Sequence, residues 1–155
     1  MFELSARAQD YIERTKAFIK NEIEPIETNF WNEVHELNQG GDWTKWQWPT
    51  QIEALKDKAK AAGLWNMFLP DAELGQGLSV QEYAHIAELT GRSLIAPTVF
   101  ICNAPDSGNM EVLWRYGSEA QKQQWLMPLL EGKIRSVFCM TEPDVASSDA
   151  TNMQA

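Results

Sequence analysis

The chain has 155 residues, of which 44% are hydrophobic and 23% charged, with a net charge of −9. That is one ordinary domain with enough apolar content to build a core, which excludes a disordered or low-complexity chain. The acidity argues against a nucleic-acid partner, because phosphate backbones are held by clustered basic faces.

The two cysteines, Cys102 and Cys139, are too few and too far apart for a disulfide framework or a zinc site. They read as buried, reduced thiols. No uninterrupted apolar run approaches membrane-spanning length. The opening Met1-Phe2-Glu3-Leu4-Ser5-Ala6-Arg7 has no apolar stretch of the secretory type, so a cytoplasmic protein is expected.

Helical signals dominate the first 130 or so residues. Ser5 is placed to cap a first helix in which Ala8, Tyr11, Ile12, Thr15, Phe18, Ile19 and Ile23 recur at helical spacing. Pro25 is expected to bend or end it. A second piece through Phe30, Trp31, Val34 and Leu37 follows, and Gly40-Gly41 breaks it. The connector Asp42–Trp48 carries Trp43, Trp46 and Trp48, whose large flat rings are expected to fold back over the core.

Three capping boxes then mark helix starts: Thr50-Gln51-Ile52-Glu53, Ser79-Val80-Gln81-Glu82 and Ser118-Glu119-Ala120-Gln121. The first opens a helix through Leu55, Ala59 and Ala62 that stops at Gly63. Leu64–Pro70 is apolar and is expected to be extended and packed. The second box opens a helix through Tyr83, Ile86 and Thr90 to Gly91, after the loop Gly75-Gln76-Gly77-Leu78. Residues 98–103 read as helical or irregular. Pro105 suits a helix start, with Met110, Val112, Leu113 and Tyr116 running on to Gly117. The third box opens a helix through Trp125 and Leu126 that Pro128 is expected to shorten.

From Ile134 to Thr141 the pattern changes to a β-prone run containing Val137, Phe138 and Cys139. One strand cannot satisfy its own backbone, so such a run needs partners from elsewhere. It enters Thr141-Glu142-Pro143, then a short loop, then Ser147-Ser148-Asp149. Read from the residues alone, this is a strand end entering a turn, followed by a helix cap. Glu142 and Asp144 read as a solvated turn, not an acid–base pair. His35 and His85 lack neighbouring ligands and read as structural. Glu22, Glu24 and Glu27 read as a solvated helix face, and Met67, Met110, Met127 and Met140 as packing.

Several of these stretches together resemble the acyl-CoA dehydrogenases. Gly63-Leu64-Trp65-Asn66-Met67-Phe68-Leu69-Pro70 with Gly75-Gln76-Gly77-Leu78-Ser79 is similar to that family's G-L-x-x-x-x-x-P … G-G-x-G-L/M-S/D run. Tyr116-Gly117-Ser118-Glu119-Ala120-Gln121-Lys122 with Trp125-Leu126-Met127-Pro128-Leu129-Leu130-Glu131-Gly132 is similar to its Y-G-x-x-x-Q-K … W-L-x-P-L-x-x-G helix pair. Phe138 to Asp149 resembles its aromatic-x-x-T-E-P … S-D segment.

The resemblance implies a mainly α chain. Residues 1–132 would be the family's N-terminal helical domain, and 133–155 the truncated opening of its middle β-barrel domain. It implies α,β-desaturation of an acyl-CoA thioester with FAD as hydride acceptor, an electron-transfer flavoprotein as electron acceptor, and a homo-oligomer at full length. An acyl-CoA oxidase of the same superfamily, or a helical interaction module without catalysis, would use the same domain. By position, Phe138 would lie against the flavin ring, Met140 would offer it backbone groups, and Thr141 would hydrogen-bond it. Ser147 and Ser148 are alternative contacts to the FAD pyrophosphate, and Ser148 also matches a position near the CoA side of the substrate. The family's loop after T-E-P is glycine-rich, whereas Asp144-Val145-Ala146-Ser147 is one residue longer than the common pattern, which leaves the two serines interchangeable. The catalytic carboxylate is expected beyond Ala155, so the 155 residues alone are expected to hold no FAD and to catalyse nothing.

Overall fold

The computed structural model describes residues 3–145, 149 and 151–154. Helix α1 spans Ala6–Phe18, and the Ser5 hydroxyl oxygen accepts the Ala8 N–H at 3.1 Å, taking up one amide that the first turn leaves unpaired. Ala8, Tyr11, Thr15 and Phe18 are buried at the three-to-four-residue spacing of one helix face.

Proline does not stop the helix. A π-helical turn at Ile19–Ile23 leads into α2, Glu24–Leu37, with Pro25 in its first turn. There the Glu24 N–H bonds the Ile19 carbonyl, five residues back. Pro25 has no N–H, and its ring would press on the carbonyl four residues earlier in a regular helix. Widening the turn just upstream lets the chain pass. The same arrangement recurs at Lys122–Leu126, ahead of Pro128 in α8, Met127–Leu130. The expected breaks at Pro25 and Pro128 are therefore π turns within continuing helices.

Helix α3 spans Gln51–Ala61, but the capping box expected at Thr50 does not form. Thr50 is itself helical, and the Pro49 and Thr50 carbonyls accept the Ile52 and Glu53 N–H groups. The Glu53 carboxylate pairs instead with Lys56 at 2.7 Å. At the other end Gly63, at φ +65°, lets Leu64 N–H reach the Ala59 carbonyl, which closes the helix. The boxes at Ser79 and Ser118 do form, opening α4 (Val80–Thr90) and α7 (Glu119–Gln121). Between them lie α5, Ala96–Val99, and α6, Asp106–Tyr116.

Helix α1 packs on α4, α3 on α5, and α6 on α8 and the π turn before it. Two apolar clusters result. The larger includes Phe18, Ile23, Phe30, Ile86 and Phe100; the smaller includes Phe68, Leu69, Met110, Leu126 and Leu129. Side chains of this size contribute roughly 1.5–3 kcal/mol each when fully buried. Trp65, Tyr83 and Cys102 touch both clusters. The Leu64–Leu69 stretch is packed, as expected, but runs as turns, with Asn66 at φ 53°. Several of its polar groups are taken up from around it, although the buried Asn66 Oδ1 has no partner among the described residues. The Leu130 carbonyl accepts Trp65 Nε1–H at 2.7 Å and Asn66 Nδ2–H at 3.0 Å. Gln76 donates to the Trp65 carbonyl at 2.9 Å while accepting from the Tyr11 hydroxyl at 2.6 Å.

Three expectations about exposure are corrected. Trp43, Trp46 and Trp48 are 74%, 65% and 57% exposed. A short 3-10 turn at Trp43–Lys45, capped by Asp42, and a clamp from Asn38 to both ends of the Gln47 peptide region hold the connector out from the helices. Only Trp48 reaches back, to the rings of Phe30 and Trp31. Glu22 and Glu27 are not merely solvated: Glu22 pairs with Lys58, and Glu27 accepts from the Ser93 hydroxyl and the Leu94 N–H ahead of α5. Cys139 and Met140 are exposed, because the segment carrying them leaves the core.

Residues 135–142 have no ladder partner among the described residues, and no strand is formed there. The β-prone run is an unpaired segment.

Two measurements check this packing. The Ser5 hydroxyl first, then the Ser79 N–H and hydroxyl, bring the Glu82 carboxyl from its ordinary value of 4.5 down to about 2. A depressed carboxyl stabilises the fold above its unfolded pKa, and that contribution is lost as pH falls through the folded value. Glu82→Gln should therefore melt below the parent protein at pH 7, with the gap closing between pH 4.5 and 2; a gap independent of pH would show that the charge is not what the cap uses. A methyl group at Gly75 would sit 2.2 Å from the Leu69 carbonyl oxygen, whereas one at Gly108, inside α6, meets nothing within 4 Å. In urea unfolding, Gly75→Ala should cost about 1–3 kcal/mol, and Gly108→Ala should gain up to about 1 kcal/mol.

Candidate functional site

Asp106 is the first residue of α6 and is fully buried. Its Oδ1 accepts both the Ser136 N–H and the Ser136 hydroxyl at 2.7 Å, and its Oδ2 accepts from Arg135 Nε. One helical turn on, Asn109 Nδ2 donates to the Ser136 hydroxyl oxygen at 2.9 Å and to the Val137 carbonyl at 3.2 Å. Residues three apart share a helix face, so Asp106 and Asn109 grip the same three-residue stretch. A buried carboxylate is tolerable only when its oxygens are hydrogen-bonded, and here both are.

Past that grip the chain opens. Phe138 is 68% exposed and Met140 43%, and Thr141 is also exposed. Among the described residues, no backbone–backbone hydrogen bond reaches 138–141. The sequence-derived contacts Phe138, Met140 and Thr141 thus lie along one segment whose ring, hydroxyl and peptide groups are accessible. At Glu142-Pro143 the chain turns, with Val145 N–H bonding the Glu142 carbonyl at 3.2 Å. Glu142 Oε2 accepts the Gln154 N–H at 2.8 Å, so this carboxylate is used within the chain. Asp149 accepts from the Thr151 hydroxyl at 2.6 Å and its N–H at 3.1 Å, and these bonds hold its carboxyl below the usual range. Ser147 and Ser148 lie outside the described residues.

The sequence-derived readings overlook the grip itself. Its signal was the placement of Asp106 one turn before Met110 and two before Leu113, an acid continuing an apolar helix stripe.

Two titratable groups lie between the core clusters without serving as acid or base at neutral pH. Burial pushes the Cys102 thiol up to about 11, and burial also raises the Tyr83 hydroxyl beside it. His35 and His85 are exposed on their helices, and among the described residues no group of three or more His, Cys, Asp or Glu side chains is gathered to hold a metal. No helix among those residues is long and apolar enough to cross a membrane.

Residues 5–133 match the family described as "Acyl-CoA dehydrogenase, N-terminal domain". The chain is 55% identical over 156 aligned residues to rat acyl-CoA dehydrogenase family member 11, covering 99% of this chain and 19% of that protein. It is 51% identical to the human member 11, with the same coverage. A solved structure of a Mycobacterium abscessus protein named as an acyl-CoA dehydrogenase superposes with a TM-score of 0.89 at 61% identity, over 98% of this chain and 38% of that one. The chain thus spans about a fifth of the length of these curated relatives. On the extent of the family match and the level of these identities, the chain belongs to the acyl-CoA dehydrogenase family and carries its N-terminal helical domain.

Proposed function

We propose that the chain is the N-terminal part of a FAD-dependent enzyme that desaturates acyl-CoA thioesters between the α and β carbons. Residues 1–132 would form its helical domain and 133–155 the start of its middle β-barrel. The observation that carries this reading is the segment Phe138–Thr141, held firmly at its base and open along its length, in a chain of this family.

The residues present suit a flavin. FAD, when bound, supplies the hydride-accepting chemistry, and negative charge then grows on the polar side of its ring. Neutral donors fixed in advance stabilise such charge without a local Lys or Arg. The Thr141 hydroxyl and the N–H groups of 138–141, which make no backbone–backbone hydrogen bond among the described residues, are neutral donors, and the exposed Phe138 ring offers a flat apolar face. Met140 would contribute its peptide groups. Ser147 or Ser148 would meet the pyrophosphate, and Ser148 the CoA side of the substrate. Residues 104–110 correspond to the wall of the acyl tail. The acyl-CoA substrate and an electron-transfer flavoprotein acceptor follow from the family, as does an oligomer at full length.

General-base catalysis requires a carboxylate within hydrogen-bond reach of the substrate α-proton, and by family correspondence that group belongs to the C-terminal helical bundle. The 155-residue chain, given FAD, acyl-CoA and a dye acceptor, should therefore show no turnover above the protein-free rate, while the full-length enzyme should reduce the dye. Turnover by the chain alone would refute the assignment of the base to later residues. In the full-length enzyme, Phe138→Ala should weaken FAD binding by about 0.5–1.5 kcal/mol, measured by flavin fluorescence.

A further inference from the structure

We propose that Asp106 and Asn109 are positioning residues for FAD, acting through Ser136 and Val137 to set the register in which Phe138–Thr141 leaves the helical domain. The inference rests on the flavin reading above. Five hydrogen bonds from two side chains converge on residues 135–137 and cease at the Val137 carbonyl, immediately before the exposed Phe138 ring. Because Asp106 Oδ1 takes both the N–H and the hydroxyl of Ser136, it fixes the backbone and the side chain of one residue together. A slip of one residue at the grip would put Cys139 where Phe138 now leaves the helical domain.

Stability alone does not account for the arrangement. Asp106 is fully buried on the helix that also presents Met110 to the smaller cluster. An apolar side chain in such a place often serves stability as well or better, and in some proteins a buried ionic group instead fixes one arrangement over its alternatives. What it specifies here is the exit point of the segment. The segment itself makes no backbone pairing among the described residues that could hold its own register.

The test uses two variants, Asp106→Asn and Asn109→Ala/Ser136→Ala, with Ser136→Thr as the conservative control. The double variant removes bonds from half-buried groups and leaves the Asp106–Arg135 pair in place, so it keeps the test informative if Asp106→Asn fails to fold. In the 155-residue chain, deuterium exchange of the Ser136 amide, whose N–H Asp106 Oδ1 accepts, should accelerate roughly tenfold or more, while the amides of α1 and α4 are unchanged. In the full-length enzyme the dissociation constant for FAD should rise roughly tenfold in both variants and stay near the parent value in Ser136→Thr. Unchanged exchange at the Ser136 amide would overturn the grip. Faster exchange with unaltered FAD affinity would overturn the positioning role. Failure of the parent full-length enzyme to bind FAD would overturn the flavin reading on which the inference stands, and the parent measurement alone identifies that case.

Discussion

An irregular backbone buried at the middle of a helical protein is the constraint around which the other elements are arranged. Leu64–Leu69 feeds Leu64 and Met67 into one apolar cluster and Phe68 and Leu69 into the other. A turn in that place cannot leave its peptide groups unpaired without a cost in desolvation. The Asn66 N–H reaches the Phe100 carbonyl, the Leu69 N–H reaches Asn66, and Gln76 covers the Trp65 carbonyl. Through Trp65 and Asn66 the stretch also holds Leu130, the last residue of α8. The loop at Gln76 and the ends of α5 and α8 are therefore tied to one short piece of chain. The tight approach of Gly75 to Leu69 belongs to the same knot.

Most of the helical architecture was legible because its signals are local. Ser79 and Ser118 formed their boxes as read, since a cap needs only the next three residues. Thr50 carried the same pattern and failed, because Pro49 begins a turn whose carbonyls reach the amides first. The tryptophans misled for a different reason. Size and apolarity describe what a side chain gains when covered, and say nothing of whether its backbone is braced outward, as the Asn38–Gln47 clamp braces this one.

The candidate site was legible as a sequence pattern alone. The order Phe138 to Thr141 could be recognised as a pattern, and the structure places those residues together on one accessible segment. The grip beneath them joins residues 27 to 30 positions apart, from a helix face to an irregular stretch. Periodicity cannot foresee such a contact; an acid interrupting an apolar stripe was its one trace. Within this domain the division of labour is clear. The helices form a closed, chemically quiet base, in which Cys102 and Tyr83 stay protonated at neutral pH. The exposed Phe138, Met140 and Thr141 lie where the chain departs from that base.

The π turns carry a consequence for how these helices could change. Each i→i−5 turn holds one residue more than an α-helix needs to cover the same rise. In the long α1–α2 rod that extra residue is taken up within one wide turn, and Phe30 enters the cluster that Phe18 also enters. Removing a single residue between Ile19 and Ile23 would let that turn rewind as regular helix with Phe30 near its present face, but would bring the Pro25 ring against the carbonyl four residues before it. The proline and the wide turn ahead of it thus belong together, each placed for the other.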